Sequence, residues 1–198
     1  MGIKLYWEYL KYVMEHKKNV FIECWKEKLY FHAFTHDLSK FSIKEFFPYA
    51  KWFYGKYGVK CKENNIYKEK CKNNFEKAWQ HHKDKNKHHW NYWYERDLEM
   101  PVKHLRQMIC DWKAMTRKFG GTAQSYYLKN YKNIKLKKYS RMLLEHLLGL
   151  NESMYHNYGN TLEDIIEKQG IEWWNRNCSH LKCMHGVDLL KVLCEEVK

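Results

Sequence analysis

The chain has 198 residues and a mass of 24.5 kDa, enough for one domain with a small appendage. Apolar residues make up 44% and aromatics 17%, with only two prolines, which argues against a disordered or collagen-like chain. The net charge of +13, from 36 Lys+Arg against 23 Asp+Glu, favours phosphate-bearing partners, because lysine attracts polyanions without reading sequence. A solvated lysine surface produced by biased composition accounts for the charge equally well.

In chain order the pattern is nearly all helical, with Pro and Gly scarce and little apolar–polar alternation. Helices are expected over about 3–16 and 19–29. After the segment FHAFTHDLSKFS, Ser42 and Glu45 have capping-box spacing and start a helix through Phe46, Tyr49, Ala50 and Phe53, ended by Gly55 and Gly58. Residues 60–87 are lysine-rich, with Phe75, Ala78, Trp79 and His82 at helical spacing, and a turn region follows over 86–93. Pro101 sits at the first turn of a helix reaching Phe119, before Gly120 and Gly121. Further helices are expected at 122–131, 137–149, 161–177 and 186–197. The weakest boundary lies between Gly149 and Gly159, giving a metal-binding helical domain over 1–148 and a C-terminal helical extension over 149–198.

No apolar run approaches 18 residues, so no membrane span is expected. The N-terminal stretch MGIKLYWEYLKYV lacks a signal-peptide core and Tyr6 stands where a myristoylation signal needs Ser or Thr. A cytoplasmic protein is therefore expected, and its seven cysteines are expected to be free thiols.

The strongest chemical feature is His36-Asp37-Leu38-Ser39-Lys40. Adjacent His and Asp can bind one cation or span two, given help from distant donors. The candidates, in chain order, are His16, His81, His82, His88, His89 and Asp111. His82, Asn86 and His89 share a helix face at i, i+4, i+7, which favours His82 over His81. The same spacing does not separate His88 from His89. Asp111, among Met108, Ile109, Trp112 and Met115, needs a partner: a metal, or else Arg106 or Arg117. His16 alone also reads as a helix-end histidine, with the ligand reading favoured. His32, one turn before His36, suits packing or hydrogen bonding. Trp79, Trp90, Tyr92 and Trp93 can form core or stack a base. Lys83, Lys85 and Lys87 can steer an anion or form a solvated face. Cys178, His180, Cys183 and His185 match no common zinc module.

The order His…His-Asp…Asp, with HDLSK, resembles the HD superfamily of metal-dependent phosphohydrolases. More narrowly, HAFTHDLSKFSIKEFFPYA, AWQHHKDKNKHHWNYW and MICDW resemble a family of small uncharacterised proteins of bacteria and their phages, over roughly residues 1–148. The resemblance implies an all-α, HD-domain-like helical bundle, with His16, His36, Asp37 and Asp111 as core metal ligands. It implies His82, His88 and His89 as ligands of a second metal, and Lys40 beside the substrate phosphate. The chain departs from dinuclear relatives in placing His82 and His88 only six residues apart.

These residue types suit one or two divalent transition metals (Mn, Fe, Co, Ni or Zn), whose bound water becomes a nucleophile near neutral pH. The expected function is a metal-dependent phosphohydrolase of a nucleotide-type phosphoester, a nucleotidase or a cyclic or oligonucleotide phosphodiesterase. Asp37 and Lys40 are the catalytic candidates, and Lys40, Lys83 and Asn86 the candidate substrate contacts. Two rivals stand beside it: an HD-fold di-iron oxygenase using the same His and Asp residues, and a non-enzymatic nucleotide or nucleic-acid binder. If the chain is phage-encoded, its place is the host cytoplasm.

Overall fold

A computed structural model describes residues 2–63 and 65–150, and among them the fold is all-α. The elements are α1 (Gly2–Lys26), α2 (Tyr30–Thr35), a 3-10 turn (Leu38–Phe41), α3 (Ile43–Tyr54), α4 (Ile66–Lys85), α5 (Trp90–Tyr94), α6 (Val102–Phe119), α7 (Ala123–Lys129) and α8 (Lys138–Leu147). No described helix is long and apolar enough to cross a membrane. The described cysteines, Cys24, Cys61, Cys71 and Cys110, are free thiols. The expected helices at 161–177 and 186–197, the 149–198 extension beyond Leu150 and the Cys178–His185 cluster lie outside the described residues.

The first two expected helices are one. α1 passes through Lys17 and Lys18 unbroken, because neither residue stops a helix and the buried face continues across them. Tyr9, Val13, His16, Val20 and Cys24 are all buried, at steps of three or four. The region after α4 also departs from expectation, since residues 90–94 form the short α5 inside the anticipated turn. Pro101 stands at the N-cap of α6, one residue before its first turn. Gly120, at φ 80°, ends α6 in a conformation that side-chain-bearing residues rarely adopt.

Three apolar clusters hold the bundle together. Tyr9, Val13, Tyr49, Ala50 and Ala78 join α1, α3 and α4. Val20, Cys24, Ala33, Cys110 and Ala114 join α1, α2 and α6. Leu105, Met108, Ile109 and Trp112 of α6 pack with Tyr127, Leu143 and Leu144 of α7 and α8. The small residues Ala33, Cys110 and Ala114 let α2 and α6 close on α1. Helix α6 therefore divides its circumference: one side carries the large apolar cluster, another meets α1, and His104, Gln107 and Asp111 follow one another along a third.

The capping box expected at Ser42 and Glu45 does not form. Ser42 occupies the N-cap without a side-chain cap, and its buried hydroxyl has no partner. Glu45, fully buried, turns its carboxylate to His81, His82 and Ser39. In this position the carboxylate gains three partners, two imidazoles and a hydroxyl, against the single backbone N–H of a capping box.

Candidate metal centre

The space between α1, α2, α4 and α6 is lined by donors. α1 supplies His16, the end of α2 supplies His36, and α6 supplies Asp111. Asp37 caps the 3-10 turn with φ 54°, a left-handed conformation that costs energy for a residue other than glycine. Lys17 holds this bend in place: its ammonium donates to the Phe34 carbonyl at 2.7 Å and the His36 carbonyl at 3.0 Å. The bend turns His36 and Asp37 toward the same interior.

Three donor atoms, from His16, His36 and Asp37, face one point, with Asp111 Oδ1 beside them. His16 Nε2 lies 3.2 Å from His36 Nε2 and 3.1 Å from Asp111 Oδ1. His36 Nε2 lies 3.2 Å from Asp37 Oδ2. Donors about 2.1 Å from a shared ion stand about 3.0–3.5 Å apart, so this spacing suits a single cation. A second set faces the other oxygen of the same carboxylate. Asp37 Oδ1 lies 3.5 Å from His82 Nε2 and 3.4 Å from His88 Nε2, and His82 Nε2 lies 2.9 Å from His89 Nε2. His16, His36 and Asp37 form one group able to hold a metal ion, and Asp37, His82, His88 and His89 form another. Asp37 is the hinge between them.

The six-residue interval from His82 to His88 is enough, because α4 stops at Lys85 and the next residues turn back. Asn86 caps α4 and donates to the His82 carbonyl at 2.9 Å and to Ser39 Oγ at 2.8 Å. His88 and His89 then enter side by side, their rings 4.2 Å apart. His81 is not among the donors facing Asp37; its Nδ1 lies 2.7 Å from Glu45 Oε1. The other Glu45 oxygen lies 2.8 Å from His82 Nδ1. The carboxylate thus accepts a hydrogen bond from Nδ1–H and leaves Nε2 as a lone pair aimed inward, the arrangement that orients histidine ligands from behind. The role of Glu45 was not legible in the sequence, where its spacing from Ser42 suggested a cap.

The electrostatics fit a cation site. Burial alone raises the Asp37 carboxyl, yet His36, Lys40 and His82 hold it well below the usual carboxylate range. Burial likewise opposes the charge on Asp111, and the His16 ring beside it outweighs this and lowers it. Burial and then the neighbouring His82 push His89 down to about 3, and burial and His36 push His32 to about 3. His88 is pushed well down by burial, His89 and His36. Neutral imidazoles and charged carboxylates are the forms that bind metals. Three buried atoms in this space, Asp37 Oδ1, His88 Nε2 and Asp111 Oδ1, have no hydrogen-bond partner. Such groups are costly unless something satisfies them.

The alternative ion pairs for Asp111 are spent elsewhere. Arg106 pairs with Glu27 at 3.3 Å and Arg117 with Glu23 at 2.8 Å. Lys40 reaches Asp37 Oδ2 at 2.6 Å; burial opposes its charge, but Asp37 and Asp111 raise its pKa. The expected substrate contact Lys83 does not reach this space. It is buried and paired with Glu95, which the turn and α5 bring back alongside α4. Asn86 braces His82 and Ser39 and also faces the cleft described next. His32 Nε2 lies 3.2 Å from His36 Nδ1, and His32, His36 and His88 form a third group with metal-binding geometry.

Beside the donors opens a cleft of about 700 Å³, to which His32 and His88 contribute. The aromatic rings on it are Tyr30 and Phe31, which the sequence did not single out. Those it did are engaged elsewhere: Trp79 stacks on His82, and Trp90 and Trp93 pack against the α6–α8 core.

No curated protein and no solved structure matches the chain. A family profile does match, over residues 5–168, and its description is a family of unknown function, DUF5662. The match covers the donor residues from His16 to Asp111, and the chain belongs to that family.

Proposed function

We propose that the protein is a metal-dependent phosphohydrolase of HD type acting on a nucleotide phosphoester. The observation that carries this is Asp37: one buried carboxylate directs each of its oxygens at a separate donor set, with Lys40 on the same group. His16, His36, Asp37 and Asp111 would hold one divalent cation, and Asp37, His82, His88 and His89 a second. When bound, such ions lower the pKa of water toward neutrality and neutralise charge on a phosphoryl oxygen.

The chain's own residues do the rest. Asp37 and Asp111 concentrate negative charge where cations bind. Glu45 fixes the tautomer and ring orientation of His82. Lys40 is only partly exposed at its side chain and carries a positive charge that matches a phosphate displacing it from Asp37. His32, His88 and His89, which burial pushes toward the neutral form, do not compete with Lys40 for the anion. Tyr30 and Phe31 offer ring faces on which a nucleobase can stack.

The test is elemental analysis of purified protein beside His36→Ala and Asp37→Ala, followed by phosphate release from a nucleotide panel. One or two Mn, Fe, Co, Ni or Zn per chain, lost in both variants together with the activity, is the expected result. Iron alone, with an oxygen-dependent spectral change and no phosphate release, replaces this reading by oxygenation. A folded wild-type protein that takes up no metal after reconstitution overturns it.

A further inference from the structure

The cleft beside the donor sets carries its own charge pattern. Lys28 follows α1, Lys85 ends α4, Lys87 lies in the turn after it and Lys103 opens α6, and all four line the same concavity. No carboxylate lines it. This separates these lysines from the cations nearby. On the adjoining surface Arg106 and Lys113 share Glu27, Arg117 has Glu23, Lys83 has Glu95 and Lys118 has Glu15. None of the four cleft lysines makes an ion pair with a described carboxylate.

The arrangement works against folding on its own. Like charges converge on one hollow, and Lys103 sits in the first turn of α6, where the helix dipole disfavours a cation. An anion in the cleft offsets this repulsion, since four lysines line the space around it.

The cleft is also continuous with the candidate metal centre. His32 and His88 belong to both. Gln107 and His104 line the cleft on the α6 face that carries Asp111. From Asp111 back to His104 is seven residues, about 10 Å along the axis.

We infer that this cleft binds a second phosphate of the substrate, so that the preferred substrate is a phosphate chain or an oligonucleotide rather than a nucleoside monophosphate. The inference rests on the phosphohydrolase reading for its first phosphate, but the cleft itself is tested separately. In hydrolysis the water oxygen bonds to the phosphorus at the centre, the bond to the leaving oxygen breaks and that oxygen takes a proton. The second phosphate stays intact and serves only to position.

The experiment measures binding of inorganic tripolyphosphate to the metal-free, full-length protein, comparing wild type with Lys85→Glu/Lys103→Glu and with the milder Lys85→Gln/Lys103→Gln. Circular dichroism checks that each variant is folded. The expected result is salt-dependent binding weakened roughly tenfold or more in the Glu pair and less in the Gln pair. A 5′-phosphorylated dinucleotide and a nucleoside triphosphate, run in parallel, distinguish a phosphodiester backbone from a phosphoanhydride chain. In the metal-loaded enzyme, KM rises for whichever of these binds and stays unchanged for a nucleoside monophosphate. Folded variants that bind tripolyphosphate as wild type does overturn the cleft inference, even where hydrolysis is found. Loss of binding in a protein that hydrolyses nothing upholds the cleft and removes only the chemistry.

Discussion

Two buried polar clusters sit on different sides of α6, and they differ in how they are satisfied. Between α7 and α8, Tyr127 donates to Glu145, Arg141 donates to Tyr127 Oη at 2.9 Å and to the Ile134 carbonyl, and Ser140 donates to Glu99 while receiving Met100 N–H. None of their side-chain atoms is orphaned. Across the helix, the His and Asp cluster leaves Asp37 Oδ1, His88 Nε2 and Asp111 Oδ1 without a hydrogen bond. The first cluster is complete as a piece of architecture. The second gathers acceptors that repel one another and becomes complete only when a cation is added.

The sharpest contrast is the response to metal. An ion that binds the folded chain at a thousandfold excess over its Kd stabilises it by about 4 kcal/mol. For a chain of this size that is a rise in Tm of about 8–16 °C. Differential scanning fluorimetry with Mn, Zn and Fe should show this in wild type and not in Asp37→Ala. Equal shifts in both proteins would mean that the ion binds somewhere other than the donors around Asp37.

A smaller effect is expected from the closed cluster. Tyr127→Phe removes the hydroxyl that donates to Glu145 and accepts from Arg141, at a cost of about 2–3 kcal/mol. Tm should fall by about 4–12 °C with metal content and the metal-induced shift intact. If metal content fell as well, the two sides of α6 would be coupled and the contrast between them would fail.

The helical class, and α3, α4 and α6, were legible because apolar residues recur at helical spacing, and Gly marks the ends of α3 and α6. The His36–Asp37 pair was legible as adjacent donors, and His82 over His81 followed from periodicity alone. What was hidden depends on contacts across the fold. Glu45 looks like a capping residue until α4 brings two histidines to it. Lys83 looks like a substrate contact until the turn at Asn86 returns Glu95 to its side. Lys17 and Lys18 look like a break in α1 because a basic pair interrupts the apolar run, yet His16 and Val20 keep the buried face continuous. The cleft lysines come from three separate stretches of sequence, so no local pattern marks them as a set.

The finest discrimination between the clusters is through protons. In the metal-free protein His32 and His89 are pushed to about 3 and His88 well below its ordinary value, while an unfolded histidine titrates near 6.5. Below pH 6.5 the unfolded chain therefore binds protons that the folded chain refuses. Stability falls with falling pH over the window from about 6.5 to 3, at a slope set by about three protons. Asp37 and Asp111, both lowered in the fold, act in the same direction at the acid end: their contribution is present above the ordinary carboxylate range and is lost as pH falls. The Tyr127 phenol, raised by burial and by Glu145, stays neutral throughout and adds no slope. Urea unfolding of metal-free protein between pH 7.5 and 5 should thus show a loss of stability, and saturating metal should raise the whole curve without flattening it, since bound imidazoles refuse protons just as the buried ones do. A flat profile without metal would mean that these histidines are hydrated in the folded chain, and the buried, cation-ready cluster would not exist as described.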